Sequence, residues 1–234
     1  MRLLAATGAV VAFAAAVAPA HAAAPKVAQL VVFKNGSAVQ KQVVAAKANV
    51  KLGKKRCAVG AGTPLAALVK SSIGAIQLHD YGSCSGNPAD AAGLYVRRIR
   101  KDGAKGVNGW VYKVGNKVAP AGAGDPTGPF GNGRLKPGAR ITWFYCHMGS
   151  SGCQRTLALK AVALGGGQVR VTVRAYDNSA KSRAAAGATV HVRGATAKTD
   201  SHGVATLTAS PGSASVYAQS KGLVRSYTER IDIT

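Results

Sequence analysis

The sequence predicts an α+β domain followed by a small all-β domain, and three patterns support this assignment. Residues 110–114 and 141–146 alternate at a period of two and are rich in aromatic and β-branched side chains, which is typical of strands. Residues 63–70 have helical spacing. After residue 167, short strands recur without any helical periodicity. Strands, one helix and further strands in this order fit a β-grasp-like sheet wrapped on one helix, followed by a β-sandwich.

The single helix is predicted mainly from the residues at its ends. Thr63 is a preferred N-cap residue and Pro64 suits the first helical turn. Leu65 and Leu68 lie on one face, as expected for a helix that packs against a core. Gly74 is expected to end the helix.

Strands are expected at residues 27–34, 39–44, 50–59, 76–81, 94–100 and 157–164 of the first domain, and at 169–175, 188–192, 195–199, 204–209, 215–219 and 224–233 of the second. Three consecutive glycines between the two sets indicate a linker. The sequence is therefore divided into a signal peptide (1–22), an α+β domain (26–162), a glycine linker (163–167) and a β-sandwich (168–234).

The first residues have the features of a secretory signal peptide. A basic residue, Arg2, precedes a predominantly apolar run at residues 3–17, and Ala20-His21-Ala22 has small residues at the cleavage positions. The apolar run is shorter than the ~20 residues that a membrane span requires, and no later run is long enough. We therefore expect a secreted protein or one in the extracytoplasmic cell envelope, with no transmembrane segment in the mature chain.

The four cysteines are expected to form two disulfide bonds, because exported proteins meet an oxidising environment. Four cysteines allow three connectivities. Cys146 and Cys153 enclose a short segment that closes easily, which leaves Cys57 to pair with Cys84.

The chain is strongly basic, with 31 lysine and arginine residues, 8 aspartate and glutamate residues and a formal net charge of +23. Such a charge favours anionic partners, and an exported protein meets anionic envelope polymers first. No specific binding of nucleic acid is expected. The candidate polyanion site is the densest basic segment, formed by Arg97, Arg98, Arg100, Lys101 and Lys105. The alternative is that the scattered charge only keeps the protein soluble.

The segment from Trp110 to Tyr145 carries a family resemblance. Its order of GW-x-Y-x-V, a Gly/Pro/Asp loop and L-x-x-G-x-x-I-x-W-x-Y resembles the transcobalamin-like C-terminal domain family, from about Val27 onward. It departs from the family at Val114-Gly115-Asn116, where the family often has Val-Asn-Gly. The resemblance implies a small α/β module of a secreted bacterial protein. In transcobalamin-type proteins this module contacts a corrinoid together with a large helical domain. No such helical domain is evident here, so no cofactor is expected.

The second domain carries a different resemblance. Residues 187–226 resemble carboxypeptidase-regulatory and bacterial Ig-like modules, in which a T-D-x-x-G turn joins two strands. The corresponding turn here runs from Thr199 to Gly203. The resemblance covers residues 168–234 and implies a spacer or adhesion unit.

Aromatic residues of the first domain form a candidate ligand site. Residues 119–135 form a long Gly/Pro-rich loop, and loops of this length tend to be functional or disordered. Phe130 in this loop, together with Trp110, Tyr112 and Tyr145, is a candidate surface for a sugar or another planar ligand. The alternative, preferred for the tryptophans, is that they are core residues, because the domain has few other large side chains.

No catalytic or metal site is expected. His79 and Asp80 are adjacent in a predicted strand, so their side chains are poorly placed to form an acid–base pair. Cys146, His147 and Cys153 do not have the usual spacing of zinc ligands. The glycine-rich loop lacks the G-x-x-x-x-G-K-[ST] phosphate-binding pattern.

These observations favour an exported, non-catalytic binding or adhesion protein of the cell envelope. The main alternative is a structural envelope protein held by charge to an anionic wall polymer. A small-molecule or corrinoid-binding protein and a secreted enzyme are the remaining alternatives, and eight acidic residues make carboxylate-pair hydrolysis hard to assemble.

Overall fold

Eighteen strands, one α-helix and one 3₁₀ helix make up residues 23–234, the part of the chain that the computed structural model describes. The protein is therefore mostly β, with several separate sheets. The predicted signal peptide at residues 1–22 lies outside the described residues. No helix among the described residues is long and apolar enough to cross a membrane.

The N-terminal region, residues 23–154, contains both helices and the first ten strands. Its elements are, in order, β1 (Lys26–Val32), β2 (Ala38–Val44), β3 (Ala48–Leu52), β4 (Lys55–Val59), α1 (Pro64–Lys70), β5 (Ile76–Asp80), the 3₁₀ helix (Pro88–Gly93), β6 (Leu94–Ile99), β7 (Asp102–Gly103), β8 (Gly109–Val114), β9 (Lys117–Val118) and β10 (Arg140–Cys146).

The C-terminal region, residues 155–234, contains only strands among its regular elements. They are, in order, β11 (Thr156–Gly165), β12 (Gln168–Tyr176), β13 (Ser182–Ala184), β14 (Thr189–Val192), β15 (Ala195–Lys198), β16 (Val204–Thr208), β17 (Gly212–Gln219) and β18 (Glu229–Ile233).

A five-stranded sheet with the order β2-β1-β10-β8-β9 forms the centre of the N-terminal region. Strand β1 runs parallel to β10, and the other neighbours are antiparallel. The predicted alternation is confirmed, because Trp110, Tyr112, Ile141 and Trp143 share the buried cluster that also contains Leu65 of α1. One face of the sheet therefore packs on the helix. The shorter strands form a β3–β4 hairpin and a three-stranded sheet, β5-β6-β7.

Helix α1 begins as the sequence predicts and ends earlier than expected. The Thr63 hydroxyl accepts a hydrogen bond from the Ala66 amide at 3.2 Å, and Pro64 occupies the first turn. The helix ends at Lys70, and the Ser71 hydroxyl donates to the Leu68 carbonyl at 2.6 Å. This C-terminal cap satisfies a carbonyl before the chain reaches Gly74.

Both disulfides lie in the N-terminal region, and they have the pairing expected from the sequence. Cys57 is bonded to Cys84 and Cys146 to Cys153. The first bond joins β4 to the segment after β5, and both of its cysteines are fully buried in the main cluster. The second closes the loop that follows β10.

The predicted glycine linker at residues 163–167 is instead the end of strand β11 and a two-residue hairpin turn, Gly166-Gly167. Strand β11 pairs with β12 from Thr156 to Gly165 with one irregularity after Ala163, and Gly165, Gly166 and Gly167 all have positive φ values. Such backbone angles are readily adopted by glycine in tight turns. The strand expected to close the first domain therefore pairs with the second, and the limit between the regions lies near Arg155.

Two sheets contribute to the core of the C-terminal region. One contains β11, β12, β13 and β16, and the other has the order β15-β14-β17-β18. Their buried side chains form a single cluster of small apolar residues, including Val171, Val173, Val190, Val216 and Ala218.

The two regions share a buried interface on the second face of the central sheet. Leu30 and Phe144 from the sheet pack against Val224 and Tyr227 from the C-terminal region. The Tyr227 hydroxyl donates to the Ile141 carbonyl at 2.6 Å. The central sheet is consequently buried on both faces.

Lys113 of β8 lies in this interface and is fully buried. Its ammonium group donates to the Thr156 hydroxyl at 3.0 Å, the Tyr176 carbonyl at 3.0 Å and the Asp177 carbonyl at 2.8 Å. Burial lowers the pKa of Lys113 from 10.5 to about 8, while the charge of Asp177 opposes the change. All three acceptors belong to the C-terminal region, so this lysine connects the two regions through buried hydrogen bonds.

Candidate functional site

A cleft of about 340 Å³ opens beside the central sheet of the N-terminal region. It lies between the 3₁₀ helix, strand β6, strands β8 and β10, and the loop after β9. Its walls combine five aromatic rings with small side chains. The lining residues include Tyr81, Ala92, Tyr95, Trp110, Tyr112, Ala121, Gly122 and Trp143.

The floor of the cleft is built from neighbouring residues of β8 and β10. Tyr112 lies directly opposite Trp143 in the antiparallel ladder, and their ring centroids are 5.0 Å apart. Trp110 is 2% exposed and Trp143 is 1% exposed. The two tryptophans therefore belong to the core, and the cleft reaches only the part of each ring that the core leaves uncovered.

The polar groups on the floor differ in how they are paired. The Trp110 indole Nε1–H donates to the Asp102 carbonyl at 2.7 Å, and the Tyr112 hydroxyl donates to the Ala121 carbonyl at 2.8 Å. The Trp143 Nε1–H has no hydrogen-bond partner in the described part of the chain. An unpaired buried donor costs about 1–3 kcal/mol. The Trp143 Nε1–H is thus a buried donor without a protein acceptor, and it belongs to a residue that contributes to the lining of the cleft.

Two tyrosine hydroxyls of the cleft have raised pKa values. Burial raises the pKa of Tyr112 well above its ordinary value, and the nearby charge of Asp125 raises it further. Burial also raises the pKa of Tyr95. Both side chains are neutral phenols at physiological pH, as tyrosine is at its ordinary pKa of about 10, and the cleft is lined by no carboxylate.

Glycines allow the loop after β9 to form one wall of the cleft. A Cβ atom at Gly122 would lie 2.1 Å from the Ala92 carbonyl oxygen, and one at Gly124 would lie 2.5 Å from that of Ala91. These distances are far inside van der Waals contact, so only glycine lets the loop approach the 3₁₀ helix this closely. The loop is also anchored to α1, because the Leu65 amide donates to the Ala123 carbonyl at 2.8 Å.

The entrance of the cleft is formed by more exposed aromatic residues. Tyr81 is 76% exposed, and its ring lies 6.1 Å from that of Tyr95 and 4.4 Å from that of His79. Register places His79 opposite Tyr95 on the β5–β6 pair. Three rings in edge-to-face and tilted contact therefore flank the entrance.

The structure places Trp110, Tyr112 and Tyr145 of the four predicted ligand residues in one buried cluster, and the Tyr145 ring lies 6.0 Å from the Trp110 ring. Trp110 and Tyr112 line the cleft, whereas Tyr145 lies outside it and lines a separate cleft between the two regions. Phe130 packs against the main core and has the Lys117 ammonium 5.6 Å from its ring centroid. The predicted single aromatic surface is therefore divided, and Phe130 is on neither part.

Three aromatic residues of the cleft were missing from the predicted site. Tyr81 and Tyr95 end and begin two predicted strands, and Trp143 was assigned to the core. The sequence signal for the first two is the placement of a tyrosine on each of two predicted strands that are close in sequence. The approach of their rings to 6.1 Å cannot be predicted from the sequence, because it depends on the turn at residues 82–93.

His79 and Asp80 do not form an acid–base pair. Asp80 accepts hydrogen bonds from the backbone amides of Gly82 and Cys84, both at 3.0 Å, and pairs with Lys55 at 3.3 Å. Burial raises the pKa of Asp80, but these three partners outweigh it and the pKa is lowered. Asp80 thus holds the turn after β5. Across residues 23–234 there is no group of three or more His, Cys, Asp and Glu side chains arranged to hold a metal ion.

The predicted basic segment is only partly available to a ligand. A β-bulge shifts the register between Gln77 and Leu78, so that Arg97 and Arg98 are both exposed while Ile99 stays buried. Arg100 has a structural contact, because its Nε–H donates to the Ile73 carbonyl at 2.6 Å and its guanidinium lies 4.7 Å from the centroid of the Phe33 ring. Lys101 and Lys105 are exposed.

Comparison of this chain with protein-family models, with curated proteins and with solved structures finds no match.

Proposed function

We propose that the protein is an exported, non-catalytic binding protein of the cell envelope that holds a small, mainly apolar ring compound in the aromatic cleft. The observation that carries this proposal is the cleft itself, which is lined by five aromatic rings and small side chains. Mainly apolar pockets with a few placed polar groups are typical of small-ligand sites. The two disulfides and the signal-peptide pattern support export.

The chemistry of the cleft favours a compact planar ligand over a sugar. Its volume of about 340 Å³ is at the lower end of the range for ligand pockets, roughly 300–1,000 Å³. Sugars stack on exposed ring faces, and both tryptophans are buried in the core. A compact planar ring compound would contact the aromatic rings that line the cleft.

The architecture supports different roles for the two regions. The order β2-β1-β10-β8, with parallel β1 and β10 and one helix on one face, supports a β-grasp-like arrangement of the kind that the transcobalamin-like resemblance implies. The two sheets of the C-terminal region support a β-sandwich, which would position the N-terminal region on the envelope as a spacer or adhesion unit.

A second function, attachment to an anionic envelope polymer, is favoured by the charge. With 31 basic and 8 acidic residues, the surface attracts polyanions over a range of about 8 Å at physiological salt. This attachment would hold the protein in the wall while the aromatic cleft binds its ligand.

Intrinsic fluorescence tests the proposed cleft directly, because Trp110 and Trp143 are the only tryptophans in the chain and both line the cleft. We expect the neutral aromatic probe N-phenyl-1-naphthylamine to quench this emission saturably and to gain emission by energy transfer. A matched pair of variants on the 3₁₀ helix provides the control. Ala92 is exposed and lines the cleft, whereas Ala89 is exposed and does not.

Ala92→Phe should block the cleft and weaken probe binding at least about tenfold, equivalent to ~1.4 kcal/mol. Ala89→Phe adds the same ring outside the cleft and should bind the probe like the unmodified protein. Equal binding by both variants, or an absence of saturable quenching in the unmodified protein, would show that the cleft is not a ligand site.

A further inference from the structure

We propose that the cleft between the two regions binds a linear polyanion, a chain with repeated carboxylate or phosphate groups, through Lys34, Arg183 and Lys221. This site is independent of the aromatic cleft and differs from the basic segment predicted from the sequence. It has a volume of about 660 Å³ and is lined by residues of both regions.

The walls of this cleft come from four separate segments. The turn after β1 contributes Lys34, and the disulfide-closed loop after β10 contributes His147. On the other side, β13 contributes Arg183, and the turn after β17 contributes Lys221. Residues from distant parts of the chain thus converge on one space.

The charge of the cleft is uniformly positive. Four cations and the His147 imidazole line it, and none of its lining residues is aspartate or glutamate. Arg155 is held in the structure, because it pairs with Asp177 at 3.3 Å and donates to the Lys181 carbonyl. The other three cations are exposed and form no ion pair with any residue between 23 and 234.

An anion in this concave space would meet three exposed cations that have no carboxylate partner in the described part of the chain. A cleft lined by one sign of charge also focuses the electric field and raises the local concentration of counter-ions. Lys34 has an additional contact, because its ammonium lies 5.4 Å from the centroid of the Tyr145 ring. A cation–π contact of this kind favours a side-chain position beside the cleft.

The size and surroundings of the cleft favour a chain over a single small anion. Its volume is many times the ~30 Å³ that one water molecule occupies in the liquid. The positive surface also continues beyond it. Phe33 lines the cleft, and the Arg100 guanidinium lies over its ring in a cation–π contact. The basic segment at residues 97–105 therefore adjoins the cleft. An extended polymer would contact the cleft cations first and then the exposed Arg97 and Arg98.

The test compares three variants that each remove three positive charges. The cleft variant is Lys34→Ser/Arg183→Ser/Lys221→Ser, and the segment variant is Arg97→Ser/Arg98→Ser/Lys101→Ser. The control variant, Lys47→Ser/Lys51→Ser/Lys54→Ser, removes exposed lysines on and before the β3–β4 hairpin. Two labelled probes of similar length, an oligogalacturonate and a linear polyphosphate, distinguish carboxylate from phosphate recognition by fluorescence anisotropy.

The cleft variant should bind the preferred probe about tenfold more weakly, because it loses three exposed contacts that are individually modest. The segment variant should lose about threefold, and the control should change less than about twofold. Added salt should weaken binding by the unmodified protein more steeply than binding by the cleft variant. Binding of N-phenyl-1-naphthylamine by the cleft variant should be unchanged, which separates this inference from the proposed function.

Equal losses in the cleft and control variants would overturn the proposal and leave only diffuse charge. Tighter binding of a DNA duplex than of either probe would also overturn it, in favour of nucleic acid. Because all three cleft residues are exposed, the variant should fold normally, and its circular dichroism spectrum checks this. If it does not fold, Lys221→Ser alone, compared with Lys54→Ser, carries the same test with an expected loss of about twofold.

Discussion

The N-terminal region contains both disulfides, both tryptophans and the α-helix, whereas the C-terminal region has none of these and has a single aliphatic core in which valine and alanine predominate. Large rings in the first core lie beside glycine and alanine, as in the pairing of Trp143 and Tyr112 near Gly122 and Ala123. Side chains of such unequal size leave space that neighbouring atoms do not fill. Valine and alanine on facing strands are closer in size and pack more evenly.

The comparison teaches where clefts arise in this molecule. One cleft follows from uneven packing within the N-terminal region, and the larger one follows from the junction between the regions. The disulfides fit the same view, because a core with unfilled space contributes less stabilisation and a cross-link compensates by restricting the unfolded chain.

The largest expected effect is the loss of a tryptophan from the N-terminal core. Trp143→Ala should lower the free energy of unfolding by about 3–5 kcal/mol, since it removes a buried ring and enlarges the cleft. Val171→Ala in the C-terminal core should cost only about 2 kcal/mol, from the two methyl groups removed and the small cavity left. Urea unfolding followed by circular dichroism measures both. Equal costs would contradict the contrast between the two cores.

The two disulfides should contribute unequally. The sequence separations of 27 and 7 residues correspond to about 3.5 and about 2.4 kcal/mol in the chain-entropy description. Cys57→Ala/Cys84→Ala should therefore destabilise the protein more than Cys146→Ala/Cys153→Ala. Thermal unfolding of the two double variants, with and without reductant, provides the measurement. A larger effect from the short loop would show that loop length does not govern the stabilisation.

Lys113 tests whether the two regions are stable independently of one another. Lys113→Met should cost about 2–3 kcal/mol at pH 7, because it leaves the Thr156 hydroxyl and the carbonyls of Tyr176 and Asp177 without their buried donor. We expect loss of cooperativity between the two regions, seen as separate transitions in calorimetry. A single unchanged transition would mean that the apolar interface alone couples them.

The same substitution carries a pH signature. The folded pKa of about 8 lies below the ordinary value of 10.5, so the unfolded chain binds the proton more tightly between these two pH values. Stability of the unmodified protein should therefore rise from about pH 8 to about pH 10.5, by up to about 3 kcal/mol. Lys113→Met should lack this rise. Parallel pH profiles of the two proteins would argue against a desolvated lysine.

The smallest effect concerns an exposed ion pair that also crosses between the regions. Arg140 pairs with Glu229, and their side chains are 43% and 35% exposed. Because water screens the pair, a double-mutant cycle with Arg140→Gln and Glu229→Gln should give a coupling of only about 0.5 kcal/mol. A coupling above about 2 kcal/mol would show that surface charge, rather than the buried contacts, holds the regions together.

Local features of the fold could be predicted from the sequence because nearby residues determine them. Thr63 and Pro64 set the start of α1 through one side chain and one fixed φ angle. The alternation in β8 and β10 sorted the side chains onto two faces, and the structure keeps that sorting. The short segment between Cys146 and Cys153 made their pairing the easiest to close.

Other features were predicted wrongly or not at all, because they depend on partners far along the chain. The run Gly165–Gly167 predicts a linker when it is considered alone. Three glycines suit a linker and a turn equally, and only the pairing of β11 with β12 distinguishes the two. Lys113 lies on the face opposite Trp110, as the alternation predicts. Its complete burial depends on Thr156, Tyr176 and Asp177, which lie far along the chain. The alternation within β8 therefore could not predict that burial.

By itself, the sequence determined the strand-rich composition, the position of the helix, the pairing of the cysteines and the excess of positive charge. These properties depend on residue types and short spacings. Only the tertiary structure decided which strands are neighbours, that β1 runs parallel to β10, that the second face of the central sheet is covered, and where the two clefts open. The physical reason is that burial and clefts depend on side chains that meet across long sequence separations, and a local pattern contains no information about the partner that closes the space.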